Sequence, residues 1–381
     1  VKLPGKISYR EKNMNWKIIS TILAIALILA IASTSYLATQ TFKTYTVTST
    51  ITKAAVSTIT ETVIKYETVT SPPPRYPLIV TDFLGRNVTI PKPPSRIVSC
   101  SPLTTELTAV LKLTDLIVGV DDYSDFPQSI VKLREQGKIK SVGGVTTLSI
   151  EAVAMLKPDL VLVSAGLQRK FIPKLEELGL TVIAFEAKSV SDVYDEILLL
   201  GRVTGREEAA VKIVSEMRGR VEAIQQLLAA TRFKVRVFQS SWLEPIWTTG
   251  NGTFLNDIVR LSGGYNIFID ANGWVTVSPE SIVDRNPEVM LIGCTMMGLK
   301  PEEVMLKLKQ IPGLENVDAV RRGRVYLLYG QAENIFVRAG PRVVEAIELL
   351  AKILYPELFK ASIPNVVGDD YLSYVKPMVE Q

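Results

Sequence analysis

The sequence predicts an α/β fold of two similar lobes joined by one long helix and held outside a membrane by an N-terminal segment. Three observations carry this. Short, nearly continuous apolar runs alternate with helical patterns over residues 77–204 and again over 233–381, as parallel sheets covered on both faces require. Between them, residues 205–232 contain no proline and repeat apolar residues at helical spacing. Finally, one phrase is written twice: "LSIEAVAMLKPDLVLV" from Leu148 and "VSPESIVDRNPEVMLI" from Val277, with Glu151 and Glu280 each seven residues before a proline. Such an echo marks an internal duplication.

The chain opens with Lys2, Lys6, Arg10, Lys12 and Lys17 ahead of "IISTILAIALILAIASTSYLA", an uncharged run of roughly 20 residues, long enough to cross a bilayer. The positive flank lies before it, so the chain is expected to run outward from the cytoplasm. An uncleaved anchor over residues 1–38 is preferred to a signal peptide cut near Ala30–Ala32, because the apolar run exceeds a usual signal core. No cysteine lies near its end, which removes a lipoprotein anchor from this reading. Residues 39–76 are Thr-rich and end in three prolines. They read as an extended stalk, and "NVT" at Asn87 and "NGT" at Asn251 are sequons such a location permits.

The first lobe begins with "LIVTDFLGRNVTI", two apolar runs around Leu84-Gly85-Arg86, a β-hairpin. "RIVSC" reads as a buried strand. "SPLTTELTAVLKL" is a helix capped by Ser101, with Pro102 in its first turn and Leu103, Leu107, Val110 and Leu111 on its apolar face. "LIVGVDD", "DLVLVS" and "TVIAF" are strands, separated by the helices "SIEAVAMLK" and "KFIPKLEELG". The linking helix should bury Val211, Val214, Met217, Val221, Ile224 and Leu228. In the second lobe the alternation restarts with the strand "KVRVFQSS". The helices "TFLNDIVRLSG" and "PESIVDRN" follow, then the strand "EVMLIGC", the helix "EEVMLKLKQI", the strand "RVYLLY" and the closing helix "PRVVEAIELLAKIL". Each lobe is thus Rossmann-like, a central sheet with helices on both faces, and the ligand cleft is expected between the lobes.

Composition narrows the chemistry. Net charge is +4 and no Lys/Arg run is interleaved with aromatics, so a nucleic-acid partner has no footprint. Histidine is absent, which removes the commonest general base and transition-metal ligand. The chain has no G-x-S-x-G elbow, P-loop or H-E-x-x-H, and "GNGTFL" at Gly250 lacks the third glycine of a dinucleotide fingerprint. No catalytic residues are assigned. A bare metal ion would need more ligands than Cys100 and Cys294 supply, and buried free thiols are their expected state.

"VTDFLGRNVTIPKPPSRIVSCSPLTTELTAVL", "VGVDDYSDFP", "SIEAVAMLKPDLVLV", "FLNDIVRLSGGYNIF" and "VSPESIVDRNPEVMLI" together resemble substrate-binding proteins of ABC importers, in the helix-spined class that carries cobalamin, ferric siderophores or haem. The resemblance spans Leu78 to about Phe359. It implies a metal chelate as ligand, a corrinoid or ferric siderophore ahead of haem, with no covalently bound cofactor. It also implies a permease dimer with its ATPase subunits as partner, and Glu151 and Glu280 as docking carboxylates, one per lobe, for arginine pockets on that dimer. A first-turn glutamate after a serine cap (Ser149, Ser278) is equally what a helix dipole favours.

In two-lobed α/β binders the ligand lies at the carboxyl ends of the strands. Three of the four tryptophans, Trp242, Trp247 and Trp274, fall in such segments. Trp247 and Trp274 are the preferred stacking residues, and Trp242 more often a filler. Ser101 and Tyr123 lie in strand-end segments of the first lobe. Tyr123 and Trp274 align with cleft aromatics of cobalamin binders, but Val145 and Ser164 stand where further tryptophans would be expected. Arg338 could reach an anionic ligand, as arginines do for siderophores in this family, whereas Arg342 reads as a surface or interlobe residue. A stalked sensor or adhesion module, or an extracellular enzyme, are the other readings; a bound coloured chelate would discriminate.

Overall fold

A computed structural model describes residues 75–379. The anchor and most of the stalk expected from the sequence lie outside these residues. Among the described residues no helix is long and apolar enough to cross a membrane.

The hairpin forms as expected: β1 (Leu78–Thr81) pairs antiparallel with β2 (Asn87–Ile90), and Gly85 takes a left-handed φ of 74° at its turn. There follow β3 (Ile97–Ser99), α1 (Pro102–Val110), β4 (Ile117–Val120), α2 (Gln128–Glu135), β5 (Lys140–Ser141), α3 (Ile150–Met155), β6 (Leu160–Ser164), α4 (Ile172–Glu177), β7 (Val182–Phe185) and α5 (Val190–Val203). The strands form a parallel sheet in the order β5-β4-β3-β6-β7. In this lobe α2, α5 and β5 were not foreseen.

The linking helix, α6, runs Glu207–Leu228, about 33 Å at 1.5 Å per residue. The second lobe contains β8 (Val235–Ser240), β9 (Trp242–Leu243), β10 (Ile246–Thr249), α7 (Phe254–Leu261), β11 (Gly264–Asn266), β12 (Trp274–Thr276), α8 (Pro279–Arg285), β13 (Val289–Gly293), α9 (Pro301–Gln310), β14 (Val325–Leu328), α10 (Gln331–Val337), α11 (Val343–Leu354) and β15 (Val366–Val367). Its main sheet is also parallel, ordered β11-β8-β13-β14-β15. In both lobes the strand order reverses beside the first strand, between β3 and β6 and between β8 and β13, the switch point where α/β sheets leave a crevice.

The written echo is a structural one. Ser149 and Ser278 each cap a short helix by accepting from a backbone N–H three residues on. Val153 and Ile282 are both fully buried. Each unit ends in a left-handed residue directly before proline, Lys157 at φ 45° and Asn286 at φ 41°, and then enters β6 or β13. The two phrases encode one helix-to-strand corner, made twice.

Each sheet has its own apolar cluster on one face, around Val98, Val161 and Leu175 in the first lobe and around Phe238, Ile292 and Leu308 in the second. On the other face the lobes share a core, which joins Leu107 and Ile197 through Met217 and Ile224 of α6 to Ile258 and Ile347. The buried stripe of α6 is Ala210, Val214, Met217, Val221, Ile224 and Leu228. The expected Val211 is 58% exposed. Ala210 takes its place because α5 comes very close there: a Cβ on Gly201 would lie 2.4 Å from that of Ala210. A continuous helix embedded in a shared core lacks the loose joints of a wide hinge. Solution scattering of empty and loaded protein should therefore differ by a lobe rotation of only a few degrees; a marked compaction on loading would contradict this.

Candidate functional site

Strand register assembles the tryptophans. The segment after β8 folds into a small antiparallel sheet, ordered β12-β10-β9, where the sequence suggested strand-end loops. Trp247 pairs with Trp242 and Thr276, and Thr249 with Trp274. Because side chains alternate along a strand, paired and next-but-one residues share a face, which puts all three indoles on one side. They are 41%, 38% and 52% exposed at Trp242, Trp247 and Trp274, unusual for so much aromatic area unless something covers it. Together with Ser241 and Met296 they line an open cavity of about 250 Å³. The Trp242 ring is oriented by its Nε1–H, which donates to the Glu244 carbonyl at 2.9 Å.

Trp242, the less favoured of the three, therefore belongs with the two preferred ones. The signal was legible: Trp242 and Trp247 flank Glu244-Pro245, a turn that sets them opposite each other. Met296, three residues beyond the end of β13, carried no such signal.

The other candidates lie elsewhere. Ser101 is 2% exposed, and its hydroxyl accepts from the Thr104 N–H as the cap of α1, so it offers nothing to a cleft. Tyr123 is exposed beyond β4 of the first lobe, close against Gly144. Arg338 is not free for an anionic ligand. Its Nη1 donates to Asp125 at 2.6 Å and Glu106 at 3.2 Å, both from the first lobe. Arg342 is deeper still and bridges the lobes: its Nε and Nη2 donate to Glu106 at 2.9 and 2.6 Å, with both side chains 1% exposed. The guanidinium also stacks 4.0 Å from the Phe126 ring centroid and donates to Tyr371, which donates to Glu345. Burial alone would lower the Arg342 pKa, but the charge and hydrogen bonds of Glu106 outweigh it and raise the pKa.

Cys100 and Cys294 are both buried. Burial pushes the Cys100 thiol up, and burial followed by the nearby Glu333 pushes Cys294 up to about 12, so neither is a thiolate at neutral pH. Among the described residues no three His, Cys, Asp or Glu side chains gather as a metal site. Glu151 and Glu280 are exposed in the first turns of α3 and α8. Hydrogen bonds from the Glu280 backbone and then from Ser278 lower the Glu280 pKa and favour its ionised form.

A family model described as periplasmic binding protein matches residues 97–332. The "uncharacterized ABC transporter substrate-binding lipoprotein YvrC" of Bacillus subtilis is 32% identical over 75% of this chain and 88% of its own. A "vitamin B12-binding protein" of Yersinia pestis is 27% identical over 72% of this chain and 90% of its own. Among solved structures, a possible iron-binding (periplasmic solute-binding) protein from Staphylococcus epidermidis superimposes with a TM-score of 0.60 at 29% identity. That match covers 69% of this chain and all of the other.

Proposed function

The chain belongs to the periplasmic binding protein family, and from that premise we propose that it captures a metal chelate outside the cytoplasm and delivers it to an ABC permease with its ATPase subunits. The observation that carries the chelate reading is the exposed face of Trp242, Trp247 and Trp274. Indoles side by side offer a broad, nearly apolar platform, which suits a macrocycle or an aromatic chelator better than a bare ion or a sugar. In the first lobe Tyr123 is also exposed, a further aromatic available to such a ligand. A corrinoid or ferric siderophore fits this chemistry, and relatives named for vitamin B12 and for iron support the class. The apolar N-terminal run, as anchor, and the Thr-rich stalk keep the binding domain near its permease. Glu151 and Glu280, first-turn carboxylates of the duplicated corner, are the docking points.

The direct test is mass spectrometry and absorbance of whatever the native protein retains on purification; a colourless protein with no retained chelate, and no affinity for cyanocobalamin, haemin or ferric siderophores, would sink the reading. A mutational check follows. Trp247→Ala and Trp274→Ala should each weaken binding of the retained chelate by ~1–3 kcal/mol, as lost stacking does. Thermal unfolding should change little, because both rings already stand partly in solvent. Normal calorimetric affinity in both variants would place the site elsewhere.

A further inference from the structure

Met296, which closes one side of the tryptophan cavity, sits on a stretch without regular secondary structure between β13 and α9. That stretch is held from below by one side chain. Glu333 of α10 is 1% exposed. Its Oε2 accepts from the N–H groups of Cys294 at 2.9 Å and Thr295 at 2.5 Å, and its Oε1 from that of Met296 at 3.4 Å. Three consecutive amides thus converge on one carboxylate. Gly293 makes the approach feasible: a Cβ there would lie 2.2 Å from Glu333 Oε1. A second tie comes from the Gly330 N–H, which donates to Thr295 Oγ1 at 2.7 Å.

Among the described residues Glu333 forms no ion pair. A buried carboxylate without a counter-charge is expensive, and hydrogen bonds to the charged form are what offset it. The core would be cheaper without this group, so its placement points to the segment it grips. We propose that Glu333 is the positioning residue of the tryptophan cavity, fixing the Cys294–Met296 segment so that Met296 completes the apolar wall. This rests on the cavity being the ligand site. The same helix reaches the first lobe from another face, where Asn334 Nδ2 donates to Asp125 at 3.3 Å, so α10 holds both the cavity wall and the lobe contact.

The test combines amide hydrogen exchange with binding of cyanocobalamin and haemin to the full chain. In Glu333→Gln the amide can offer one acceptor where three donors converge. Exchange at Thr295 and Met296 should quicken ~10-fold or more, while α11 keeps its protection. Affinity for whichever probe the wild type binds should fall ~10-fold, mainly through faster dissociation. Unchanged exchange at 294–296, equal acceleration in α11, or faster exchange with intact affinity would each overturn the proposal. Met296→Ala changes a residue already 56% exposed, so it keeps the test open should Glu333→Gln fail to fold. It should lose affinity to a similar degree, and normal binding by it also overturns the role. If the wild type binds neither probe, corrinoid and haem are excluded as its ligand while a ferric siderophore is not, and local exchange alone decides whether Glu333 positions the segment.

Discussion

Glu106→Ala should destabilise the protein by ~3–5 kcal/mol, the loss expected when a buried ion pair is broken from one side. The reason is what stays behind. Arg342 is 1% exposed and would keep its charge with no carboxylate bonded to it, in contact with Gln331, Tyr371 and the Phe126 ring, while Glu345 acts on it only from behind Tyr371. Arg338 would lose one of its two carboxylates as well. Urea denaturation measures the loss. Glu106→Gln should also be destabilised, since shape is kept and charge is not. Pairing Glu106→Leu with Arg342→Met should recover much of the stability, because two apolar groups leave no buried charge unmatched. Single variants indistinguishable from wild type would mean that the pair contributes nothing to joining the lobes.

The second large effect concerns transport rather than stability. Replacing Glu151 and Glu280 together with alanine should leave chelate binding intact and abolish stimulation of the transporter's ATPase and uptake. Both side chains are exposed and in helical first turns, so removing each should cost the fold at most ~1 kcal/mol. Arginine pockets on a permease deprived of both carboxylates would lose ~2–5 kcal/mol apiece, as truncation of one partner in a buried charge pair does. Normal uptake by the doubly substituted protein in a reconstituted system would exclude docking through this pair.

Local signals accounted for most of the architecture. Period and cap residues located the hairpin, the central strands of both sheets (β3, β4, β6 and β7; β8, β13 and β14), α1 with its Ser101 cap, and the linking helix, but not the short edge strands β5, β11 and β15. The phrase around Glu151 and Glu280 located a corner whose backbone repeats even in the left-handed residue before proline. What escaped is of two kinds. Helix α5 carries a readable stripe, Val190, Val193, Ile197, Leu200 and Val203, obscured by its merging with the spine pattern that follows. The fate of Arg338 was not readable at all: its carboxylate Glu106 lies 232 positions earlier, and no periodicity relates residues brought together only by lobe packing. The tryptophan cavity falls between these. Its residues were identified singly, but their common face depends on cross-strand register, which a five-residue spacing around a proline hints at without fixing.

The apolar layer shared through Met217 and Ile224 bears on how such a molecule descends from its halves. A duplicated unit begins as something that survives alone or beside an identical copy. Here the linking helix belongs to neither repeat, yet it covers the apolar flanks of both, leaving each half an oily seam that only the other half and the helix can close. The two repeats have become hereditary dependants. A substitution along α6 is therefore felt by both at once.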